Sequence, residues 1–172
     1  MKSRSKYTKR IDTRLFEEET LINQNEYNDK ILKLASNITR DGRLDTFDFT
    51  SVAVSKLCGS KVTVDVKITN NLISDFSHIV KACALGQASS AVMADNIIGS
   101  NLNELKNLQI VMRKMLKENG APPEGKWSDL RVLEPVRDYK GRHSSVMLTF
   151  DAVVDCINQF EIKEVSKKNK VN

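Results

Sequence analysis

Long hydrophobic runs are missing from this chain. Across 172 residues no stretch approaches the roughly 18 consecutive apolar residues of a membrane-spanning helix, so no membrane partner is expected. Histidine is scarce, with two in the whole chain. Neither stands in a His-Glu-x-x-His arrangement, and no phosphate-binding loop or dinucleotide-binding glycine pattern is present. These absences argue against a free-standing enzyme. The three cysteines are an odd count, which argues against a disulfide framework and for thiol or metal chemistry in a reducing compartment. The amino terminus has no apolar core of a secretory signal, and a cytoplasmic location is the expectation. Aromatics make up only 6% and do not interleave with a basic stripe, so no nucleic-acid partner is expected.

What is present bounds the architecture. The length suits one domain with a sizeable core. Much of the net charge of +5 sits at the ends. Lys2, Arg4, Lys6, Lys9 and Arg10 open the chain, while Lys163, Lys167, Lys168 and Lys170 close it. We read residues 1–24 as a flexible extension, 25–161 as the domain and 162–172 as a basic tail.

Within the domain, Tyr27, Ile31, Leu34 and Ile38 recur at helical spacing, with Asp41-Gly42 as an exit turn. Strand signals follow. Phe47, Phe49, Val52 and Val54 suggest the first, and Val62, Val64, Val66 and Ile68 alternate with polar residues in the second. Asn70-Asn71 turns the chain into a third, with Leu72, Ser74, Phe76, His78 and Val80 on one face. After Cys83 the pattern is helical. Further helices are expected from about 103 to 118 and from about 143 to 160, with a short helix broken at Pro135 between them. The class is α+β: a three-stranded antiparallel sheet with helices packed on one face.

Cys58 occupies the turn between the first two strands, where Gly59 permits an unusual backbone. Cys83 ends the third strand just before a helix, whose N-terminus favours a thiolate. In an antiparallel meander both positions fall at the same end of the sheet, so the two sulfurs are expected to be neighbours. Thiolates there suit a soft metal or a transferred sulfur atom. Cys156 is expected to be a buried helix residue, and His78 a structural or exposed one. His143 is either a third ligand, through a neutral imidazole, or a helix cap at the surface. A hydrolase built on Cys83 and His143 lacks an orienting third group and an oxyanion site.

The segments Leu57-Cys58-Gly59-Ser60 and Cys83-Ala84-Leu85-Gly86-Gln87-Ala88-Ser89 resemble those of the NifU/IscU/SufU family of iron–sulfur cluster assembly scaffolds. The resemblance spans about residues 26–160 and includes Asn37-Ile38-Thr39-Arg40-Asp41-Gly42, with Ile38 where the family has proline. The family's aspartate after its first cysteine is Ser60 here. Its third cysteine is matched by Ser145, or by Ser144 if His143 is aligned with a family histidine. The resemblance implies a scaffold or carrier that holds iron or a labile iron–sulfur cluster, of the [2Fe–2S] type, on Cys58 and Cys83. Two chains sharing one cluster as a homodimer would supply four thiolates. It implies a cysteine desulfurase as sulfur donor, apo iron–sulfur proteins as acceptors, and a chaperone that reads Leu133-Glu134-Pro135-Val136-Arg137. Two alternatives remain open at this point: a SufU-like sulfur acceptor with zinc on Cys58, Cys83 and His143, and a partner-binding module without metal.

Overall fold

The computed structural model describes residues 28–170. The extension at 1–24 and Tyr27 lie outside them, as do the last two residues of the tail. A first helix, α1, covers residues 28–35. Then come β1 (Phe49–Val54), β2 (Lys61–Thr69), β3 (Leu72–Lys81), α2 (Ala84–Asn96), α3 (Leu102–Lys117), two 3-10 segments (Gly125–Asp138 and Lys140–Arg142) and α4 (His143–Lys170). No described helix is long and apolar enough to cross a membrane.

The sheet is the expected antiparallel meander in the order β1-β2-β3. Val62, Val64 and Val66 of β2 are fully buried against the helices, and each is paired across to Val80, His78 and Phe76 of β3. A bulge between Lys67 and Ile68 breaks the alternation. Beyond it Ile73, paired with Ile68, takes the inward position, while Ser74 is exposed and Leu72 partly so. The single face read through Leu72 and Ser74 therefore stops at Phe76, because one extra residue flips every side chain beyond it. In β1 the inward set is Phe49, Ser51 and Ala53. Phe49 meets Phe160 of α4 edge to face at 6.1 Å between ring centroids, and Ser51 Oγ bonds Asp155 of α4 at 2.8 Å. Val52 and Val54 thus lie on the opposite face and are about half exposed.

The other face of β2 is covered at one point by the segment before β1. Asp65, fully buried, accepts two hydrogen bonds from the Arg43 guanidinium at 2.6 and 2.9 Å, and one from the Leu44 N–H at 3.2 Å. Residues 40–42 run along the edge of β3, where Gly42 N–H bonds His78 O at 2.8 Å and His78 N–H bonds Arg40 O at 3.1 Å. His78 is therefore structural. It is buried, its Nε2 meets Thr39 O at 2.9 Å, and burial pushes its pKa down, partly opposed by that contact and by Asp41.

Helix α4 is the central helix. Ser145 to Phe150 are all buried, as in a helix segment enclosed on every side, and α4 touches β1, β2, α2 and α3. It continues beyond Phe160 to Lys170, so the described part of the basic 162–172 segment is helical. The residues before it hold a second departure from expectation. Rather than a short helix interrupted at Pro135, Gly125–Asp138 form a long 3-10 run that buries Trp127, Leu130, Leu133 and Val136. Those four recur every third residue, the period of a 3-10 turn, which stacks them on one side.

Candidate functional site

The turn after β1 is closed by two main-chain bonds, Ser55 N–H to Ser60 O at 2.8 Å and Gly59 N–H to Ser55 O at 2.8 Å. Gly59 takes φ +70°, a left-handed conformation that costs other residues more. The result exposes Cys58 and turns its sulfur back onto the turn's own hydroxyls. Cys83 lies across the ladder. The last paired residues of β2 and β3 are Lys61 and Lys81, so Ser60 and Cys83 stand just beyond the end of the sheet.

Ser60 links the two cysteines. Its hydroxyl lies 3.0 Å from Cys58 Sγ and accepts a bond from the Cys83 N–H at 3.4 Å. Ser55 Oγ sits 3.4 Å from the same Cys58 sulfur and 2.8 Å from Ser144 Oγ. Ser145 Oγ is 2.9 Å from Cys83 Sγ. One proton assignment satisfies every contact when both cysteines are ionised: Ser144 donates to Ser55, Ser55 and Ser60 donate to Cys58, and Ser145 donates to Cys83. The close approach of α2 to α4 that brings Ser145 to Cys83 depends on Gly86. A Cβ there would lie 2.8 Å from Ala82 Cβ and 3.1 Å from Ser145 O.

These contacts set the electrostatics. The Ser55 and Ser60 hydroxyls, with the Ser60 main chain and nearby Arg142, lower the Cys58 thiol to about 7. At Cys83 burial opposes ionisation, yet the Ser145 hydroxyl and the N–H groups of Gly86 and Leu85 at the start of α2 outweigh it, and the pKa is lowered. Lys61 stands directly opposite Lys81 in the ladder, a like-charge pairing that costs stability. Cys156 is the opposite case: buried in α4, its thiol is pushed up to about 12 by desolvation and by Asp155 and Asp65.

The structure brings Cys58 and Cys83 together but does not gather His143 with them. His143 opens α4, is buried, and its Nε2 faces the carbonyls of Val136 at 3.1 Å and Arg137 at 3.0 Å. Among the described residues no three His, Cys, Asp or Glu side chains converge as a metal cluster. In the segment Leu133–Arg137, Leu133 and Val136 are core residues, and Arg137 is tied to Glu134 at 2.6 Å. In the sequence Ser60, Ser144 and Ser145 stand out only at family ligand positions and Ser55 not at all; their part as donors to sulfur depends on directions that residue types do not encode. The site is thus a pair of thiols whose ionisation neighbouring hydroxyls favour, with Cys58 exposed to solvent, suited to sulfur nucleophilicity and to soft cations.

A family model described as the NifU-like N terminal domain matches residues 26–165. The chain is 23% identical over 133 residues to the iron-sulfur cluster assembly scaffold protein IscU of Thermotoga maritima, a match spanning 77% of this chain and 93% of that one. Among solved structures it is similar to the N-terminal part of a nitrogen-fixing NifU-like protein from Brucella abortus. The TM-score is 0.78 at 55% identity, covering 80% of this chain and 95% of that chain. It also shares its fold with an iron-sulfur cluster assembly scaffold protein for the SUF system from Fervidobacterium islandicum, at TM-score 0.67 and 20% identity, covering 74% and 93% of the two chains.

Proposed function

The chain belongs to the NifU-like N-terminal domain family, and from that premise we propose that it is an iron–sulfur cluster assembly scaffold. In this role it receives sulfur from a cysteine desulfurase in the cytoplasm, builds a cluster as cargo on Cys58 and Cys83, and passes it to apo iron–sulfur proteins. A chaperone acting on the Leu133–Arg137 segment would engage the exposed Pro135 with the partly exposed Glu134 and Arg137, since Leu133 and Val136 are buried. The observation that carries the reading is the pairing of Cys58 and Cys83 around the Ser60 hydroxyl, with both thiol pKa values lowered.

Two thiolates are half of the four that hold a [2Fe–2S] cluster. Hydroxyl groups are hard and seldom ionised, and do not replace the missing pair. We therefore assign the cargo as one [2Fe–2S] cluster shared by two copies of the chain, each giving Cys58 and Cys83. Anaerobic reconstitution with ferrous iron and sulfide tests this by visible absorption, metal and sulfide analysis, and size-exclusion chromatography. A brown dimer with equal iron and sulfide, one cluster per two chains, is the expected result. A colourless protein with bound zinc would favour the sulfur-acceptor reading, and absence of both metals would favour a partner-binding module.

A further inference from the structure

A persulfide carries its outer sulfur at the oxidation level of elemental sulfur, whereas a cluster is built from sulfide. Two electrons have to be supplied between the two states. The pairing of Cys58 with Cys83 contains a source of those electrons.

Resting on the scaffold reading, we propose that Cys83 releases sulfide from a persulfide carried on Cys58. Cys58 lies exposed on the turn, open to an external donor, while Cys83 is only partly exposed. Both adjoin the hydroxyl of Ser60, through Cys58 Sγ at 3.0 Å and the Cys83 N–H at 3.4 Å. The Cys83 thiolate attacks Sγ of Cys58. A new Cys58–Cys83 bond forms, the bond from Cys58 Sγ to the outer sulfur breaks, and hydrosulfide leaves with the electron pair and the persulfide's own proton. The two cysteine sulfurs are oxidised to a disulfide and the outer sulfur is reduced to sulfide, so the step balances internally. A dithiol reductant then restores both thiols for cluster binding. Thiol–disulfide chemistry of this kind needs an accessible sulfur, an ionised attacker and a stabilised leaving charge. The Ser55 and Ser60 hydroxyls, 3.4 and 3.0 Å from Cys58 Sγ, and the Ser145 hydroxyl, 2.9 Å from Cys83 Sγ, are placed to donate to that charge.

The local composition narrows the choice of attacker. The α4 positions nearest the sulfurs carry hydroxyls, with Ser145 Oγ 2.9 Å from Cys83 Sγ and Ser144 Oγ 2.8 Å from Ser55 Oγ. Cys156 is buried and its thiol stays protonated, with its pKa near 12. Cys83 is the one remaining thiol among the described residues that can resolve Cys58 within the chain.

The test loads the full reduced chain from a resin-bound, persulfidated cysteine desulfurase without added reductant, removes the resin, and measures intact mass and free sulfide. Wild type is expected to lose two hydrogens relative to the reduced chain and to release one sulfide per chain, with peptide mapping showing a Cys58–Cys83 disulfide. Cys83→Ser is expected to keep the added sulfur on Cys58 and release none, and serine at this helix-capping position is compatible with the fold. An added sulfur that stays on wild-type Cys58, moves to Cys83, or leaves through a disulfide between two chains would overturn the proposal. If clusters still assemble from supplied iron and sulfide while any of these occurs, the scaffold reading stands and the release step alone is rejected. Failure to assemble from supplied sulfide would overturn both.

Discussion

The same thiol group appears in two regions of this molecule with opposite fates. At the end of the sheet, Cys58 and Cys83 meet hydroxyls and main-chain N–H groups, and both are pulled toward the thiolate. One helix away, Cys156 meets only the core and two carboxylates, and is held as a thiol with a pKa of about 12. The difference teaches that ionisation here is set by donors supplied from several segments: Ser55 and Ser60 from the turn, Ser144 and Ser145 from the start of α4, and the first N–H groups of α2. The fold needs Cys156 for volume, and it exposes the other two to chemistry.

The largest expected effect breaks the comparison outright. Cys58→Ala and Cys83→Ala should each reduce cluster retention in anaerobic reconstitution to background, read by visible absorption and bound iron, while circular dichroism stays that of the folded protein. Both residues sit outside the core and contribute little packing. Loss of the cluster on replacing Cys156, with retention on replacing Cys58 and Cys83, would invert the comparison and remove the basis for the assigned site.

The next effect concerns the hydroxyls themselves. Replacing both Ser55 and Ser60 with alanine removes the donors that hold Cys58 near 7, so its midpoint should rise toward the ordinary thiol value of about 8.5. Because the thiolate is the reactive form, alkylation at pH 7 should slow by about tenfold, with the difference vanishing above both midpoints. A pH–rate profile of iodoacetamide labelling, with Cys58 followed by peptide mass, measures it. An unchanged midpoint would show that the serines do not stabilise the anion. A smaller gain is expected from Ser145→Cys. That position already meets Cys83 Sγ at 2.9 Å, so a third sulfur there should slow loss of iron to a chelator several-fold. Ser144→Cys, one contact removed through Ser55, should act more weakly. No change with either would show that the start of α4 does not face the cargo.

How much of this was legible in the sequence follows the same division. Alternating valines gave the central strand, Asn70-Asn71 gave the second hairpin, and both residues do take left-handed φ angles of 52° and 59°. That topology was enough to bring Cys58 and Cys83 to one end. The bulge at Lys67/Ile68 was not legible, because one inserted residue in a ladder leaves no compositional mark. Asp65 reads as an outward polar residue, yet it is buried under Arg43, a partner 22 positions away. The 3-10 run does leave a mark, in the three-residue spacing of Trp127, Leu130, Leu133 and Val136, but Pro135 in the same stretch is equally the signal of a broken α-helix. At the site, Ser60, Ser144 and Ser145 read as missing ligands and Ser55 carries no signal, since a hydroxyl's role as donor depends on its direction. His143 reads equally as a ligand or a surface cap because imidazole serves either purpose, and the sequence does not show that it is buried with its Nε2 facing the carbonyls of Val136 and Arg137.

The smallest effect sharpens the other side of the comparison. Cys156 is fully buried in α4 within the main apolar cluster, so Cys156→Ala deletes a sulfur from a packed interior and leaves a small void. Cavity-forming truncations of this size cost about 1 kcal/mol, which should appear in urea unfolding as a lower midpoint with an unchanged slope. Cluster retention and the Cys58 labelling profile should stay at wild-type values, because Cys156 contributes neither donor nor ligand to the sheet end. In the native wild type Cys156 should also resist alkylation under conditions that label Cys58 fully, and become reactive only on unfolding. Labelling of Cys156 at the rate of Cys58 in the folded protein would mean that α4 opens readily. The contrast between a thiol held for packing and thiols held for chemistry would then fail at its buried end.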